Sequence, residues 1–456
     1  MSSRLKIAII GSGPSGFYAA EALLKSSFPI DVDMFDRLPT PFGLVRSGVA
    51  PDHPKLKQVI KVFEKIAANP AFQFFGNIHI GNDISVESLK QSYHAIIFAI
   101  GAETDRALDI PGENLKGSYT ATEFVGWYNG HPAHQHHQFD LSHEKCVIIG
   151  QGNVTADVCR ILAKDVDELA KTDITQNAID VLSKSKIKEI HIVGRRGPAQ
   201  TKFSNKELRE LSELERCEIV IDPVDLQLNQ ESEQELADKS NKNSVLNIKL
   251  FHQLSINKVK EKNKQCYFHF LKSPIEILGD KAVTGLKLAQ NKLSGQPFNQ
   301  IANVSEHNEN LECGLVFRSV GYKGVSLPGV PFDKKKAIIP NINGRVVNED
   351  EQHLDGLYVT GWIKRGPSGI IGTNRADSIE TISSLLDDLP ALIIKKDSLT
   401  DVELSLREIK EKGGHIISYA DWSKIDKLEV QKGFSKEKPR EKITNISELL
   451  QVANMK

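Results

Sequence analysis

The sequence of 456 residues is poor in cysteine, with five in all, at positions 146, 159, 217, 266 and 313. Their number is odd and no two stand in a C-x-x-C spacing. This argues against a disulfide framework, a bound iron–sulfur cluster and a dithiol redox pair. Cysteines without such roles behave as small apolar residues in a reducing cytosol. We therefore expect five ordinary structural thiols.

Long apolar runs and net charge are also lacking. No apolar run approaches the roughly 18 residues of a membrane span, and the first residues, Met-Ser-Ser-Arg-Leu-Lys, lead straight into a predicted strand with no signal peptide. The formal net charge is −1, so no overall field favours nucleic acid. These absences predict a globular, cytoplasmic protein without a membrane span or a nucleic-acid partner; a mature mitochondrial form is the alternative.

Hydrophobic runs followed by glycine turns and helical patterns predict two β-α-β units. The predicted strands lie at 5–10, 30–36 and 94–101 in the first unit, at 145–150 and 188–194 in the second, and later at 312–321 and 356–361. The predicted helices run from Ser15 to Lys25 and up to Lys164. We assign the strand at 356–361 to the same domain as the first unit, so the second unit is part of a domain inserted into the first. The predicted fold is α/β, with two Rossmann-like (three-layer ββα) domains at 1–105 plus 330–456 and at 106–329.

The first glycine turn satisfies G-x-G-x-x-G with Gly11, Gly13 and Gly16, between a strand and a helix. The first glycine allows a tight turn, the second admits a pyrophosphate, and the third lets helix and strand pack closely. The helix N-terminus then offers N–H groups to the phosphates. Asp36 follows Gly16 by 20 residues, where a carboxylate can bind a ribose diol. The turn therefore predicts a dinucleotide site.

The second turn begins Gly150-Gln151-Gly152 and continues with Asn153-Val154-Thr155, so threonine stands at the sixth position. Arg195 and Arg196 follow the next predicted strand, where an NAD site would carry an acid. Two guanidiniums suit a 2′-phosphate by charge and by bidentate hydrogen bonding. We interpret this unit as an NADP(H) site, which leaves the first turn for FAD.

A third glycine-rich segment, 361–375, combines a strand end, a tight turn and a helix start. Its backbone N–H groups form the kind of nest that can hold an electron-rich group, and Trp362 offers an aromatic wall for a flavin.

The run His131–His137 holds four histidines, for which we keep two interpretations, a metal site and a polar surface loop. Residues 229–244 are polar and amide-rich, so we expect a surface loop or a mobile insertion, and the tail 390–456 has mixed charge and helical periodicity.

The chain resembles the adrenodoxin-reductase-like ferredoxin–NADP(+) reductases. Four stretches carry the resemblance: Gly11–Tyr18, Phe35–His53, Val193–Arg209 and Gly356–Arg375. Ser15 and Asp36 stand where that family more often has Ala and Glu. The resemblance implies FAD and NADP(H) as cofactors and a ferredoxin as partner.

What the motifs and the resemblance imply residue by residue is as follows. The predicted FAD contacts are Gly11, Gly13, Pro14, Ser15, Gly16, Asp36, Arg37, Leu44, Ile80, Gly101, Trp362, Gly369, Ile370 and Ile371. The predicted NADP contacts are Gln151, Gly152, Asn153, Val154, Arg195, Arg196, Glu207 and Gly369. The family's His–Asp pair near the flavin matches His53 and Asp157, as orienting residues. Arg209 matches a basic docking position for ferredoxin, and Lys239 and Lys242 stand where a docking arginine pair is expected.

The sequence thus predicts a ferredoxin–NADP(+) reductase in which NADPH reduces FAD by hydride transfer and single electrons then pass to an iron–sulfur ferredoxin. One alternative is an NADPH-dependent flavoprotein that acts on a small organic substrate. Another is a flavin-bearing redox sensor without steady turnover.

Overall fold

Hydrophobic strands build two large sheets, each in its own part of the chain. The computed structural model describes residues 4–256, 262–395 and 399–455. Unit 1 comprises Met1–Thr104 and Gly321–Lys456, and unit 2 comprises Asp105–Val320. Unit 1 is therefore discontinuous in sequence, and unit 2 is the segment inserted into it.

Strands and helices alternate along most of the chain. Up to the first unit boundary they are β1 (Leu5–Ile10), α1 (Pro14–Leu24), β2 (Ile30–Asp36), α2 (Leu44–Ser47), α3 (Pro54–Lys57), α4 (Ile60–Ala67), β3 (Phe72–Gly76), α5 (Val86–Ser92), β4 (Ala95–Phe98) and β5 (Thr104–Asp105). Unit 2 then contains β6 (Ser118–Thr120), α6 (Ala121–Tyr128), β7 (Lys145–Ile149), α7 (Asn153–Ala163), α8 (Val166–Ala170), α9 (Gln176–Leu182), β8 (Glu189–Val193), α10 (Asn205–Ser212), β9 (Cys217–Ile221), α11 (Gln230–Ala237), α12 (Lys242–Ile256), β10 (Lys264–His269), β11 (Lys272–Leu278), β12 (Gly285–Ser294), β13 (Ile301–Glu312) and β14 (Leu315–Arg318). The last segment contains β15 (Tyr322–Lys323), β16 (Asn341–Ile342), β17 (Arg345–Val347), β18 (His353–Val359), α13 (Trp362–Arg365), α14 (Thr373–Lys395), α15 (Val402–Glu411), α16 (Tyr419–Phe434) and α17 (Ile446–Ala453).

Unit 1 is built on a seven-stranded sheet with the order β16-β17-β18-β4-β1-β2-β3. The five strands from β18 to β3 are parallel, and β17 and β16 extend that sheet antiparallel at one edge. β1 is apolar along almost its whole length because hydrophobic clusters cover both faces of the sheet. The carboxyl ends of β1, β2 and β18 thus lie at one edge of the sheet.

Unit 2 contains a six-stranded parallel sheet with the order β6-β14-β7-β8-β10-β9 and a three-stranded antiparallel sheet, β11-β12-β13. Helices pack on one face of the parallel sheet in a large apolar cluster. On the other face, Val147, Ile149 and Val193 pack against Leu286 and Leu288 of the antiparallel sheet. Helices, parallel sheet and antiparallel sheet form the three layers predicted for this unit.

Most of the predicted elements are confirmed, with boundaries shifted by a few residues. The segment 229–244 differs: it contains α11 and the beginning of α12 instead of a loop. Ser232 and Glu235 on α11 are buried, and they accept hydrogen bonds from the amide groups of Gln200 and Gln300. The helix is held by these buried tertiary contacts, which a polar composition does not reveal. Residues 321–329 belong to unit 1, since Leu327 joins its core.

None of the helices in the described part of the chain is both long and apolar enough to cross a membrane.

Candidate functional site

The first glycine turn leads from β1 into α1, with Gly13 as the N-cap and Pro14 in the first turn of the helix. A Cβ on Gly16 would lie 2.1 Å from the carbonyl oxygen of Gly11, and one on Gly11, whose φ is +105°, would lie 2.5 Å from the carbonyl oxygen of Ala99. These two glycines are thus required by packing. A Cβ on Gly13 would meet nothing within 4 Å. The helix N-terminus at Gly13 therefore faces open space that fits a pyrophosphate.

Asp36 lies at the end of β2, beside the turn. Its Oδ2 accepts hydrogen bonds from the backbone N–H of Ser12 (2.9 Å) and from the Ser12 hydroxyl (2.5 Å), and its Oδ1 accepts from the N–H of Leu38 (2.9 Å). A carboxylate has about four acceptor positions, so Asp36 fixes the turn and retains capacity for one further donor. Arg37, the next residue, is exposed and bonded to Glu103 through Nε (3.1 Å) and Nη2 (2.9 Å).

The remaining predicted FAD residues before unit 2 are spread over loops of unit 1. Leu44 is half-buried at the start of α2, and Ile80 is buried. His53 is buried and caps α3, whereas Asp157 is in unit 2. Gly101 has a φ of +70°, and a Cβ there would meet nothing within 4 Å.

The third glycine-rich segment follows β18 and is organised by Asp377 of α14. Asp377 is buried, and its Oδ2 accepts from the N–H of Gly361 (2.5 Å) and from Arg365 Nη1 (2.8 Å), while its Oδ1 pairs with Lys364 Nζ (2.8 Å). The indole Nε1 of Trp362 is buried and has no hydrogen-bond partner among the described residues. An unpartnered donor beside such a turn fits an electron-rich ring.

Further along this segment the backbone turns again. Gly369 has a φ of +84°, and the next residue, Ile370, is 70% exposed. Ile371 is half-buried and packs against the core of unit 1. A large exposed apolar side chain beside a glycine turn is suited to contact with a bound aromatic group.

The second glycine turn leads from β7 into α7, with Gly152 as the N-cap. Gly150 has a φ of +138°. The turn is bonded to the segment before α10: the carbonyl of Gln151 accepts from the N–H of Lys202 (2.7 Å), and Asn153 Oδ1 accepts from the N–H of Ser204 (2.7 Å). Val154, one residue on, is half-buried. The N-terminus of α7 is thus held rigidly, as an anion site requires.

Arg195 and Arg196 follow β8, and neither guanidinium has a hydrogen-bond or ion-pair partner among the described residues. Their backbone, in contrast, is fixed: the carbonyl of Arg195 accepts from Asn291 Nδ2 (2.8 Å), and that of Arg196 accepts from the N–H of Leu271 (3.0 Å). Asn291 is buried in β12. Two free cations on a fixed backbone fit a 2′-phosphate.

Asp157 and Glu207 meet at a buried arginine of α7. Arg160 is 1% exposed, and its guanidinium donates to Asp157 Oδ1 (2.5 Å) and to Glu207 Oε2 (2.5 Å). Glu210 Oε2 lies 3.8 Å from Arg160 Nη1. A buried cation demands such partners, and it fixes both acids that the sequence singled out in this unit.

The docking candidates all belong to unit 2. Arg209, Lys239 and Lys242 are exposed, and none has an ion-pair partner within the described ranges. Asn243 Oδ1 accepts from the N–H of Asn205 at 2.9 Å, which joins the starts of α12 and α10. Lys242 and Arg209 are therefore on neighbouring helices.

The histidine run contains a short 3₁₀ turn, Pro132–His134. Its imidazole rings pack in pairs, His131 with His134 and His136 with His137. Within the described residues, no three potential metal-ligand atoms of this run lie within 4.8 Å of one another. The five cysteines are buried and free. Burial raises the pKa of the Cys146 thiol well above its usual value, so this thiol stays protonated.

Asp377, Arg160 and Asn291 are not among the residues that the sequence predicts. Asp377 lies 16 residues after the glycine it fixes, and Asn291 is in a different sheet from the arginines it supports. The signal available for each of the three was a single charged or amide residue within a helix or strand segment.

Two glycine turns at helix N-termini, one of them followed by unpaired arginines, define a protein with two dinucleotide sites. Residues 5–210 match the family model described as pyridine nucleotide-disulphide oxidoreductase. NADPH-ferredoxin reductase FprA of Mycobacterium leprae (strain TN) is 44% identical over 455 residues, 98% of this chain and 98% of that protein.

The mitochondrial NADPH:adrenodoxin oxidoreductase of Salvelinus fontinalis is 42% identical over 99% of this chain and 92% of its own length. The solved structure of Mycobacterium tuberculosis FprA in complex with NADPH matches with a TM-score of 0.92 and 41% identity, over 99% of this chain and 100% of that one. The chain belongs to the family of NADPH-dependent ferredoxin and adrenodoxin reductases. The predicted resemblance and the predicted fold class are thereby confirmed.

Proposed function

We propose that the chain is an FAD-dependent NADPH:ferredoxin oxidoreductase, which takes a hydride from NADPH and delivers single electrons to a ferredoxin-type iron–sulfur protein. The observation that carries the proposal is the pair of free guanidiniums at Arg195 and Arg196, on a fixed backbone in one unit, together with an open glycine turn at Gly13 in the other. Bound FAD supplies the chemistry that accepts two electrons together and releases them singly.

In this proposal the residues of unit 1 bind and orient FAD. The N–H groups at Gly13 and Ser15 face the pyrophosphate, and Asp36 faces the ribose. The other proposed contacts are Gly11, Pro14, Gly16, Arg37, Leu44, Ile80, Gly101, Trp362, Gly369, Ile370 and Ile371. The unpartnered Trp362 Nε1 and the turn that Asp377 organises support the placement of the flavin ring at 361–371.

Unit 2 holds NADPH in the same proposal. Arg195 and Arg196 bind the 2′-phosphate, which distinguishes NADPH from NADH by charge. The remaining proposed contacts are Gln151, Gly152, Asn153, Val154 and Glu207, with Gly369 from the segment after β18. His53 and Asp157 are proposed as orienting residues. The salt bridge from Arg160 keeps Asp157 in a single position in unit 2.

The test is an anaerobic titration of the purified holoprotein with NADPH, followed by addition of an oxidised ferredoxin. We expect NADPH to bleach the flavin absorbance and the ferredoxin to restore it. Bleaching that only oxygen or a small organic substrate reverses would replace the proposal with the alternative flavoprotein activity. An absence of bleaching by NADPH would contradict both.

The finer proposal concerns docking at Arg209, Lys239 and Lys242. An acidic ferredoxin would be steered to these free cations, so its association should weaken as salt rises. Charge reversal by Arg209→Glu should raise the KM for ferredoxin, while Lys281→Glu, in the β11–β12 turn, serves as the exposed control. Equal effects of both substitutions would contradict this docking site.

The cellular compartment of the protein stays a prediction, since the relatives are named from both mycobacteria and mitochondria.

A further inference from the structure

The carboxy-terminal helices are joined to the start of unit 1 by a buried carboxylate. Glu429 of α16 is 0% exposed, and it accepts from Arg46 Nη1 at 2.8 Å and Nη2 at 2.6 Å. The N–H of Ile443 donates to it at 2.8 Å, and Arg440 Nη1 lies 3.3 Å away. Arg46 is itself buried in α2. A bidentate pair 383 residues apart in sequence therefore joins the tail to α2.

The same tail helix contacts α2 a second time. The Arg46 guanidinium lies over the ring of Trp422, 5.0 Å from its centroid. The ring of Phe42, just before α2, meets Trp422 edge-on at 5.8 Å and stacks near Phe63 at 6.2 Å. α16 thus restrains both ends of the short segment 42–46.

This segment in turn touches the first glycine turn. The N–H of Phe42 donates to the carbonyl of Ser12 at 3.0 Å. A Cβ on Gly43 would lie 3.0 Å from Gly13 Cα, so the two backbones are in close approach. Phe42 has a φ of +82°, a conformation that a non-glycine residue keeps only when its surroundings hold it. The restraint supplied by α16 reaches the residue at which the pyrophosphate is proposed to bind.

We propose that Glu429 is a positioning residue for FAD: through Arg46 it holds the Phe42–Gly43 backbone against the Gly13 turn. This inference rests on the proposed placement of FAD at that turn. It assigns a role to the tail, which carries none of the cofactor motifs. A buried ion pair can often be replaced by apolar side chains without loss of stability, so its presence alone does not indicate a stabilising role.

Three variants separate positioning from bulk stability. Glu429→Gln breaks the pair and leaves Arg46 buried. The double variant Arg46→Met/Glu429→Met replaces both charges with apolar side chains. Asp388→Asn breaks a second, more exposed bidentate pair of the same unit, in which Asp388 accepts from Arg345 Nε at 2.7 Å and Nη2 at 2.9 Å, near the opposite edge of the sheet.

The measurements are the Kd of FAD for each full-length apoprotein, from quenching of flavin fluorescence, and the Tm of each apoprotein. We expect Glu429→Gln to weaken FAD binding by at least tenfold and Asp388→Asn by less than twofold. The double variant should recover part of the Tm lost in Glu429→Gln, because Arg46 is no longer buried without its partner while the Ile443 N–H still lacks its acceptor. It should still bind FAD at least fivefold more weakly than the unmodified protein. Recovery of FAD affinity together with Tm in the double variant would overturn the proposal, and this variant decides the matter if Glu429→Gln does not fold.

The Gly13→Ala variant distinguishes a failure of the positioning role of Glu429 from a failure of the proposed FAD placement. If Gly13→Ala weakens FAD binding and the Glu429 variants do not, the positioning role is wrong and the FAD site stands. If Gly13→Ala leaves the Kd of FAD unchanged, the placement of FAD at this turn is wrong, and the inference falls with it.

Discussion

Gly13 and Gly16 of the first turn should respond very differently to one added methyl group. Gly16→Ala places a Cβ 2.1 Å from the Gly11 carbonyl oxygen, a backbone atom that cannot rotate away. Overpacking of this kind costs about 3 kcal/mol, which lowers Tm by about 6–12 °C in a unit of this size. Gly13→Ala meets nothing within 4 Å, and its φ of −75° suits alanine. We expect apoprotein stability within about 1 kcal/mol of the unmodified protein.

The order should reverse for cofactor binding. The methyl group of Gly13→Ala occupies the space at the N-terminus of α1 where the pyrophosphate approaches. Loss of one charge-assisted hydrogen bond there costs about 1.5–3 kcal/mol, which corresponds to FAD binding weakened roughly 10- to 100-fold. Scanning calorimetry of the apoproteins gives the stability, and flavin fluorescence titration gives the Kd of FAD.

The comparison between the two variants is the critical result. A Gly13→Ala protein that unfolds as early as Gly16→Ala would mean that the space at Gly13 is closed in solution. A Gly13→Ala protein with normal stability and normal FAD affinity would mean that the pyrophosphate lies elsewhere. Either result would refute the reasoning from the geometry of this turn.

Three other perturbations test neighbouring parts of the site. Arg195→Ala with Arg196→Ala should raise the KM for NADPH at least tenfold more than that for NADH in steady-state assays; equal changes would remove the 2′-phosphate role. Asp377→Asn should lower the Tm of the apoprotein by several degrees and broaden the visible circular dichroism of the bound flavin, and unchanged spectra would contradict its part in orienting the turn. Burial opposes ionisation of Glu429, but Arg46 holds the pKa of its carboxyl below the usual value. The ionised carboxylate therefore stabilises the folded protein fully above about pH 4.3. This stabilisation is lost as the pH falls through the lowered pKa. The Tm difference between the unmodified protein and Glu429→Gln should therefore shrink from pH 5 to pH 3, and a constant difference would exclude this linkage.

The parts that local sequence could predict are those with a local cause. The strand 30–36 was predicted with the bounds that the structure gives, because its alternation and its flanking turns lie within a few residues. The glycine spacing at 11–16 and 150–155 is likewise local, since each turn must connect a strand to the helix that follows it. The arginine pair could be predicted to bind a 2′-phosphate because it follows the second strand of a β-α-β unit, where an NAD site would carry an acid.

The parts that could not be predicted depend on distant partners. α11 is polar enough to be taken for a loop, and only its burial against Gln200 and Gln300 explains why it is ordered as a helix. Asp377 and Glu429 are charged residues in helices, where the ordinary expectation is a solvated surface. Their burial depends on cations that come from other segments of the chain, and no local period reports such a pairing.

The discontinuity of unit 1 also has a consequence for the order of events during synthesis. Unit 2 is one continuous segment, Asp105–Val320, so all of its strands have been made before unit 1 is complete. At roughly 5–20 residues per second, the ribosome needs roughly 2–8 s more to pass from Gly321 to the end of β18 at Val359. During that interval β4 lacks β18, its neighbour in the finished sheet, and presents an open edge of the kind that invites aggregation. We therefore expect the nascent chain to be most prone to aggregation at β4 until β18 has been translated and can pair with it.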